Sequence, residues 1–311
     1  MNDNTRNKET YDAYAKQLLS RKTILVNILK FLILDFKDLN INEIKQYIEN
    51  GNDSDFIFGL ANEDTSMNSQ KIVFDIYFKV RSPIDNRIIY INIEPQYYDT
   101  EYNIEKRGEY YLSRMIDTQK GKEFLGSDYN EIKDVYSIWL MLKPNITSNY
   151  IVTNDNRLYI HKYDLKENKH NSYINKTNKS VFNEIYVYTK LIDDYHTYNI
   201  FTLMCLLFMY NDTNMELRQT VLKNDYGIIG IGKELSNMCS LAEGIERNAM
   251  QKGILEGELK GKIETSTSTV TNLIQKTKMS LEEAIYNLGI EDSIKDEVIK
   301  QVKLKLCKES V

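Results

Sequence analysis

The chain has 311 residues, of which 42% are hydrophobic and 27% charged, and its net charge is −5. This describes a globular, water-facing protein large enough for one sizeable domain plus an appendage, and three prolines leave little room for disordered linkers. The negative balance excludes a protein that coats DNA through a global positive field, but not an enzyme with a local basic groove.

In chain order, "DAYAKQLLSRKTILVNILKFLILDF" carries apolar residues at helical spacing and predicts one or two opening helices. "NINEIKQYIEN" predicts a short helix capped by Asn40 or Asn42, with Gly51 past its end. Gly59 to Gln70 is polar and reads as a loop. Two strands follow as a hairpin, "KIVFDIYFKV" (71–80) and "IIYINIEPQ" (88–96), joined through "SPIDN". Period-two alternation puts Ile72, Phe74, Ile76, Phe78 and Val80 on one face of the first strand, with Val73, Asp75, Tyr77 and Lys79 on the other. In the second strand Tyr90, Asn92, Glu94 and Gln96 share a face.

Residues 101–124 predict a long helix with Ile104, Gly108, Tyr111 or Leu112, and Met115 as its inner stripe. "DVYSIWLML" (134–142) predicts a buried strand containing Trp139 as a core residue. "NYIVTNDNRLYIHKY" predicts a hairpin turning at 154–156, and "NEIYVYTKL" a further strand. From about Tyr198 onward the pattern is helical. The run "IFTLMCLLFM" (200–209) is shorter than the roughly 20 residues that cross a bilayer, and predicts a buried helix. The tail from 241 spaces Gly253, Gly257 and Gly261 four apart, and then Ser280 with Glu283 forms a capping-box signature ahead of a helical hairpin. The expected division is therefore a main domain over 1–240 and a helical tail over 241–311.

Three cysteines with no C-x-x-C pair and three histidines with no H-E-x-x-H pattern give no sign of a disulfide framework or zinc site. The polar start lacks a signal-peptide apolar core. A cytoplasmic protein with no membrane partner is the expectation.

The hairpin raises a chemical question. A symmetric hairpin centred between Ile84 and Asp85 sets Asp75 opposite Glu94, where facing Cβ atoms lie about 4.5–5.5 Å apart. Two like charges at that spacing destabilise a sheet unless something offsets them. A divalent cation such as Mg²⁺ or Mn²⁺ would do so, because carboxylate oxygens are hard ligands. Gln96, two residues beyond Glu94, is placed to position a water or a phosphate oxygen, and the Pro95 carbonyl is a further candidate ligand. The alternative is a solvated face on which Lys71 and Lys79 partner the two acids.

The pattern of Asp75 followed by Glu94-Pro95-Gln96 resembles the PD-(D/E)XK nuclease superfamily. "KRGEYYLSRMI" (106–116), "NEDTSMNSQKIVFDI" and the glycine-spaced "KGILEGELKGK" are similar to its Rpn-like recombination-promoting nuclease/putative transposase branch, over roughly residues 10–260. The resemblance implies a restriction-endonuclease-like α/β core, a mixed central sheet flanked by helices with a helical C-terminal extension. It also implies Mg²⁺- or Mn²⁺-dependent cleavage of DNA, with Asp75, Glu94 and Gln96 as catalytic residues and Asp75, Glu94 and Pro95 as metal ligands. The usual motif lysine is replaced by Gln96, which leaves open a nuclease-fold binding protein with weak or no catalysis. An additional acid is expected from an earlier helix, Glu43 or Glu49, or from the loop, Glu63 or Asp64.

Arg107 and Arg114 fall seven apart on the same helix with Tyr110 between them, an arrangement suited to phosphate contacts. A solvated helix face with Glu109 and Asp117 as partners is the alternative. Tyr97, Tyr98 and Tyr102 suit either base stacking or packing. The acidic terminal hairpin suits protein contact or homo-oligomerisation better than DNA reading.

Overall fold

A computed structural model describes residues 3–49, 55–57, 63–64, 72–97, 100, 102–142, 146–154, 181–192, 195–209 and 214–308. The chain divides into two compact units, Met1–Glu243 and Gly244–Val311.

The first unit is α/β. Its helices are α1 (Asp3–Leu19), α2 (Lys22–Leu32), α3 (Ile41–Ile44), α4 (Ile104–Asp117), α5 (Ile200–Phe208), α6 (Met215–Tyr226) and the start of α7 (Gly232–Thr277). Its strands are β1 (Glu63–Asp64), β2 (Ile72–Val73), β3 (Ile76–Arg81), β4 (Ile88–Gln96), β5 (Asp134–Leu142), β6 (Tyr150–Thr153) and β7 (Phe182–Thr189). The main sheet has five strands in the order β3-β4-β5-β7-β6. It is mixed, because β4, β5 and β7 run parallel while β3 and β6 pair antiparallel at the two edges.

Strand β5 lies at the centre and is buried along its whole length, which explains its unbroken apolar sequence. The crossover from β4 to β5 passes through α4. That helix packs Ile104, Tyr111, Leu112 and Met115 onto a cluster holding Tyr77, Tyr90, Val135, Trp139 and Tyr186. At Gly108 α4 approaches the sheet closely: a Cβ there would lie 2.0 Å from Tyr186 Oη. The alternate residues Ile89, Ile91, Ile93, Ile138, Leu140 and Val187 are also fully buried, so the sheet is covered on both faces. Helix α5 packs on β7 and α2 on α5. No helix among the described residues is long and apolar enough to cross a membrane.

One local expectation is corrected. The run 71–80 is not one strand. The chain bends at Phe74–Asp75, with β2 pairing β1 and β3 pairing β4. The bend brings Phe74 against Tyr77 and Tyr111, on the face opposite to that predicted by strict alternation. Strand β6 pairs antiparallel with β7, and the hairpin expected to turn at 154–156 falls on residues 155–180, which lie outside the described residues. There Asn154 donates to the Phe182 carbonyl and accepts from the Glu184 amide.

The second unit contains the rest of α7, then α8 (Leu281–Asn287) and α9 (Asp292–Lys308). Ser280 and Glu283 form the reciprocal capping box that starts α8, and Gly289 (φ 56°) takes the left-handed conformation that ends it. Val270, Ala284, Ile285, Ile294, Val298 and Val302 are its core. In α7, a Cβ at Gly253, Gly257 or Gly261 would meet nothing within 4 Å.

Candidate functional site

The hairpin register matches the one read from sequence. Ile76 pairs with Ile93, so the next step along both strands brings Asp75 to Glu94. The ladder does not continue there. The Asp75 backbone N–H donates to Glu94 Oε1 at 3.0 Å, and Asn92 Nδ2 donates to the same oxygen at 3.0 Å. A side-chain acceptor thus takes the amide that would otherwise extend the strand, and the chain bends. Pro95, which has no N–H to offer, falls just beyond the last β3–β4 pair, where none is needed.

Glu94 is 3% exposed and Asp75 is mostly buried. The two side chains hydrogen-bond to each other. Burial first, and the charge of Asp75 second, push the Glu94 carboxyl well above the ordinary range. Burial also raises Asp75, against the opposing pull of Lys16. A carboxyl pair this close favours either protonation of one member or a neighbouring cation.

Lys16 was not anticipated. It reaches from α1 with Nζ 2.7 Å from Asp75 Oδ1 and 2.7 Å from Asp12 Oδ2. Burial works against its charge, but both carboxylates outweigh that, so its pKa is raised. In sequence Asp12 and Lys16 look like an ordinary i,i+4 surface pair, and nothing local signals that the lysine meets an acid 59 residues away.

Arg107 completes the arrangement from α4. Its guanidinium donates to the Tyr111 hydroxyl through Nε (3.2 Å) and Nη2 (2.6 Å), and to the Tyr102 hydroxyl through Nη1 (2.5 Å). It also lies 5.2 Å from the Trp139 ring centroid. Burial opposes its charge, while Tyr111 and the nearby Glu94 favour it. Among the described residues its hydrogen bonds go to these two tyrosine hydroxyls. Trp139 is in the core, as expected, but it also serves as part of the floor beneath this arginine.

The remaining predicted residues divide. Gln96 and Pro95 are half-buried at the end of β4, with Gln96 on the same strand face as Glu94. Tyr110 is 48% exposed on α4. Arg114 is 8% exposed and packed inward, so it does not form an exposed basic stripe with Arg107. Glu43 is the N3 residue of the α3 capping box, accepting from the Asn40 amide. Glu49 pairs with Arg81 at 2.7 Å, at the opposite end of β3 from Asp75. Each expected helical acid is thus bound to another local partner. The earlier-helix acid that approaches the pair, through Lys16, is Asp12.

Asp64 and Glu63 lie in β1, opposite Ile72 and Val73; their side chains are outside the described residues. So are Lys71 and Tyr98. Lys79 does not partner either acid, because it bonds Glu123 at 3.0 Å and lies over Tyr90. Tyr97 packs against Tyr11 with tilted rings 4.5 Å apart, a packing role, whereas Tyr102 is half-exposed beside Arg107.

A groove of about 580 Å³ lies elsewhere, lined by Gln219, Lys223 and Ile229 among others, and brings none of these residues together. No group of three or more His, Cys, Asp or Glu among the described residues is arranged to hold a metal ion. What the site does offer is a set of hard oxygen donors: two buried carboxylates, with the Asn92 Oδ1, buried and lacking a hydrogen-bond partner among the described residues, in the residue that holds Glu94. That donor chemistry suits Mg²⁺ or Mn²⁺. Compared with family models, curated proteins and solved structures, the chain matches none.

Proposed function

We propose that the chain is a Mg²⁺- or Mn²⁺-dependent DNA endonuclease of restriction-endonuclease-like fold, hydrolysing phosphodiester bonds at the Asp75–Glu94 pair. The observation that carries this reading is the pair itself. Asp75 at the bend before β3 and Glu94 on β4 meet, with the Asp75 amide bonded to Glu94 Oε1, and burial raises the pKa of both. Perturbed carboxyl pairs of this kind are enriched at sites that bind cations or move protons.

Asp75 and Glu94 would hold the ion, with the Pro95 carbonyl as a further oxygen. When bound, the ion polarises the phosphate and lowers the pKa of an attacking water. Arg107 is supported by Tyr102, Tyr111 and Trp139, so its guanidinium is held in place before any anion arrives. A phosphate oxygen accepting from it would be oriented with little further loss of side-chain freedom. Gln96 would orient the water or a second phosphate oxygen through its amide. Tyr110 and Tyr102 are accessible to flanking nucleotides.

A second reading, nucleic-acid binding without cleavage, is favoured by one feature: Gln96 stands where the resembled motif has a lysine, and an amide does not act as a base. Incubating supercoiled plasmid with Mn²⁺ separates the two. Nicking by the wild type that drops on the order of a thousandfold in both Asp75→Ala and Glu94→Ala supports the enzyme. Plasmid retention on a gel with no nicking by the wild type supports the binding protein.

A further inference from the structure

The Asp75–Glu94 pair already contains a cation, and it belongs to the protein. The Lys16 ammonium is 2.7 Å from one carboxylate oxygen on α1 and 2.7 Å from another at the β3 bend. Asp75 in turn is bonded to Glu94. Three carboxylates from three elements thus gather around or beside one ammonium, and twice the lysine contact distance bounds the separation of the Asp12 and Asp75 oxygens.

A divalent ion bound to Asp75 through oxygen, at about 2.1 Å for Mg²⁺, would fall within strongly repulsive range of that ammonium. With Lys16 on Oδ1, the two positive groups at the Asp75 carboxylate oppose each other. The lysine is the one able to leave, because it is about one-third exposed and carries its charge on a flexible four-carbon stem.

We propose that Lys16 is a resident counter-ion that competes with the divalent cation for Asp75. Loading the site therefore requires the ammonium to withdraw toward solvent, and its withdrawal frees the Asp12 carboxylate beside the pair. The inference rests on the metal-dependent reading above. Without metal, Lys16 limits the repulsion between the acids and keeps the bend folded. With metal, the same side chain is released on the rim of the site.

Mn²⁺ titrated calorimetrically into the wild type, Lys16→Met and Lys16→Arg tests the competition. Lys16→Met keeps the chain length and removes the charge, so it should bind Mn²⁺ roughly tenfold tighter than wild type, while Lys16→Arg should bind as weakly as wild type. Equal or weaker binding by Lys16→Met overturns the competition but leaves the metal reading intact. If wild type and both variants all fail to take Mn²⁺, the metal reading falls and this inference falls with it.

A second measurement uses the unmutated chain and holds even if Lys16→Met does not fold. Reductive methylation of Lys16, read by mass spectrometry of its peptide, should increase several-fold when Mn²⁺ is added. Unchanged or reduced labelling would show that the ammonium stays in place, and the proposal would be wrong.

Discussion

The β3–β4 pair carries acids at both ends, and the two ends are neutralised in opposite ways. At the hairpin end Arg87 donates Nη2 to Asp35 (2.6 Å), Nη1 to Asp85 (2.7 Å) and Nε to Asp134 (2.9 Å). Ser82 adds a bond to Asp35 at 2.6 Å. Burial works against Asp85, yet the bonds from Arg87 hold its carboxyl below the usual range. At the open end Asp75 and Glu94 have one lysine, shared with Asp12, and both are pushed up. A planar guanidinium with fixed donors holds acids in set directions, whereas an ammonium is a compact point charge on a flexible stem. Acids of the same type are thus held by an arginine at one end of the strand pair and by a lysine at the other, with opposite shifts of their carboxyls.

The largest effect expected is at the hairpin end. Arg87→Ala strands Asp35 and Asp134, both nearly buried, and should lower the stability of the first unit by about 3–5 kcal/mol in urea denaturation. A loss under about 1 kcal/mol would mean that this end is no more structural than the other.

Gly108→Ala comes next. The new Cβ would drive into Tyr186 Oη and meet Trp139 Nε1 at 3.1 Å, so α4 must shift from the sheet or the rings must move. A cost of about 1–3 kcal/mol is expected, together with weaker plasmid binding because Arg107 rides on the same helix.

Glu94→Gln sharpens the contrast through pH. A carboxyl whose folded pKa is raised binds more protons in the native state than in the unfolded one. The wild type should therefore lose stability as pH climbs from the ordinary carboxyl value of 4.5 through the raised one. Gln keeps an oxygen to accept from Asn92 and the Asp75 amide but has no proton to lose. Its melting temperature should be flatter between pH 5 and 9, with a relative gain on the order of 1 kcal/mol at pH 9. Parallel wild-type and variant curves would remove the raised-carboxyl account of the pair.

Glu184 offers a milder case. Burial, then Glu109 and Glu105 on α4, push it up to about 7. Glu184→Gln should relieve a smaller loss of stability as pH rises from 4.5 to 7, followed by circular dichroism during thermal melting. The smallest effect is a control in the second unit. Ser280→Ala removes the α8 cap and should cost about 1 kcal/mol there while leaving plasmid nicking unchanged.

Much of this was readable from residue order. Strand β5 follows from an apolar run flanked by polar residues, and the inner stripe of α4 from its 3.6-residue period. The α8 cap follows from Ser280 and Glu283 three apart. The facing of Asp75 and Glu94 follows from hairpin symmetry, because register in an antiparallel pair is counted outward from the turn. These are local rules, and they succeed where local geometry governs.

Tertiary structure decided the rest. The bend at Asp75 arises because a side chain from the neighbouring strand captures its amide. The choice of Lys16 over Lys79 as counter-ion depends on α1 reaching the strand end, while Lys79 is held by Glu123. Arg114 turned inward and Arg107 settled among Tyr102, Tyr111 and Trp139, although both lie on one helix at a spacing that suggested a common role. Sequence spacing determines which way a side chain leaves its own element. Which charge meets it there depends on elements far away in the chain, because the energy of an ion pair is set by distance and burial in the folded state.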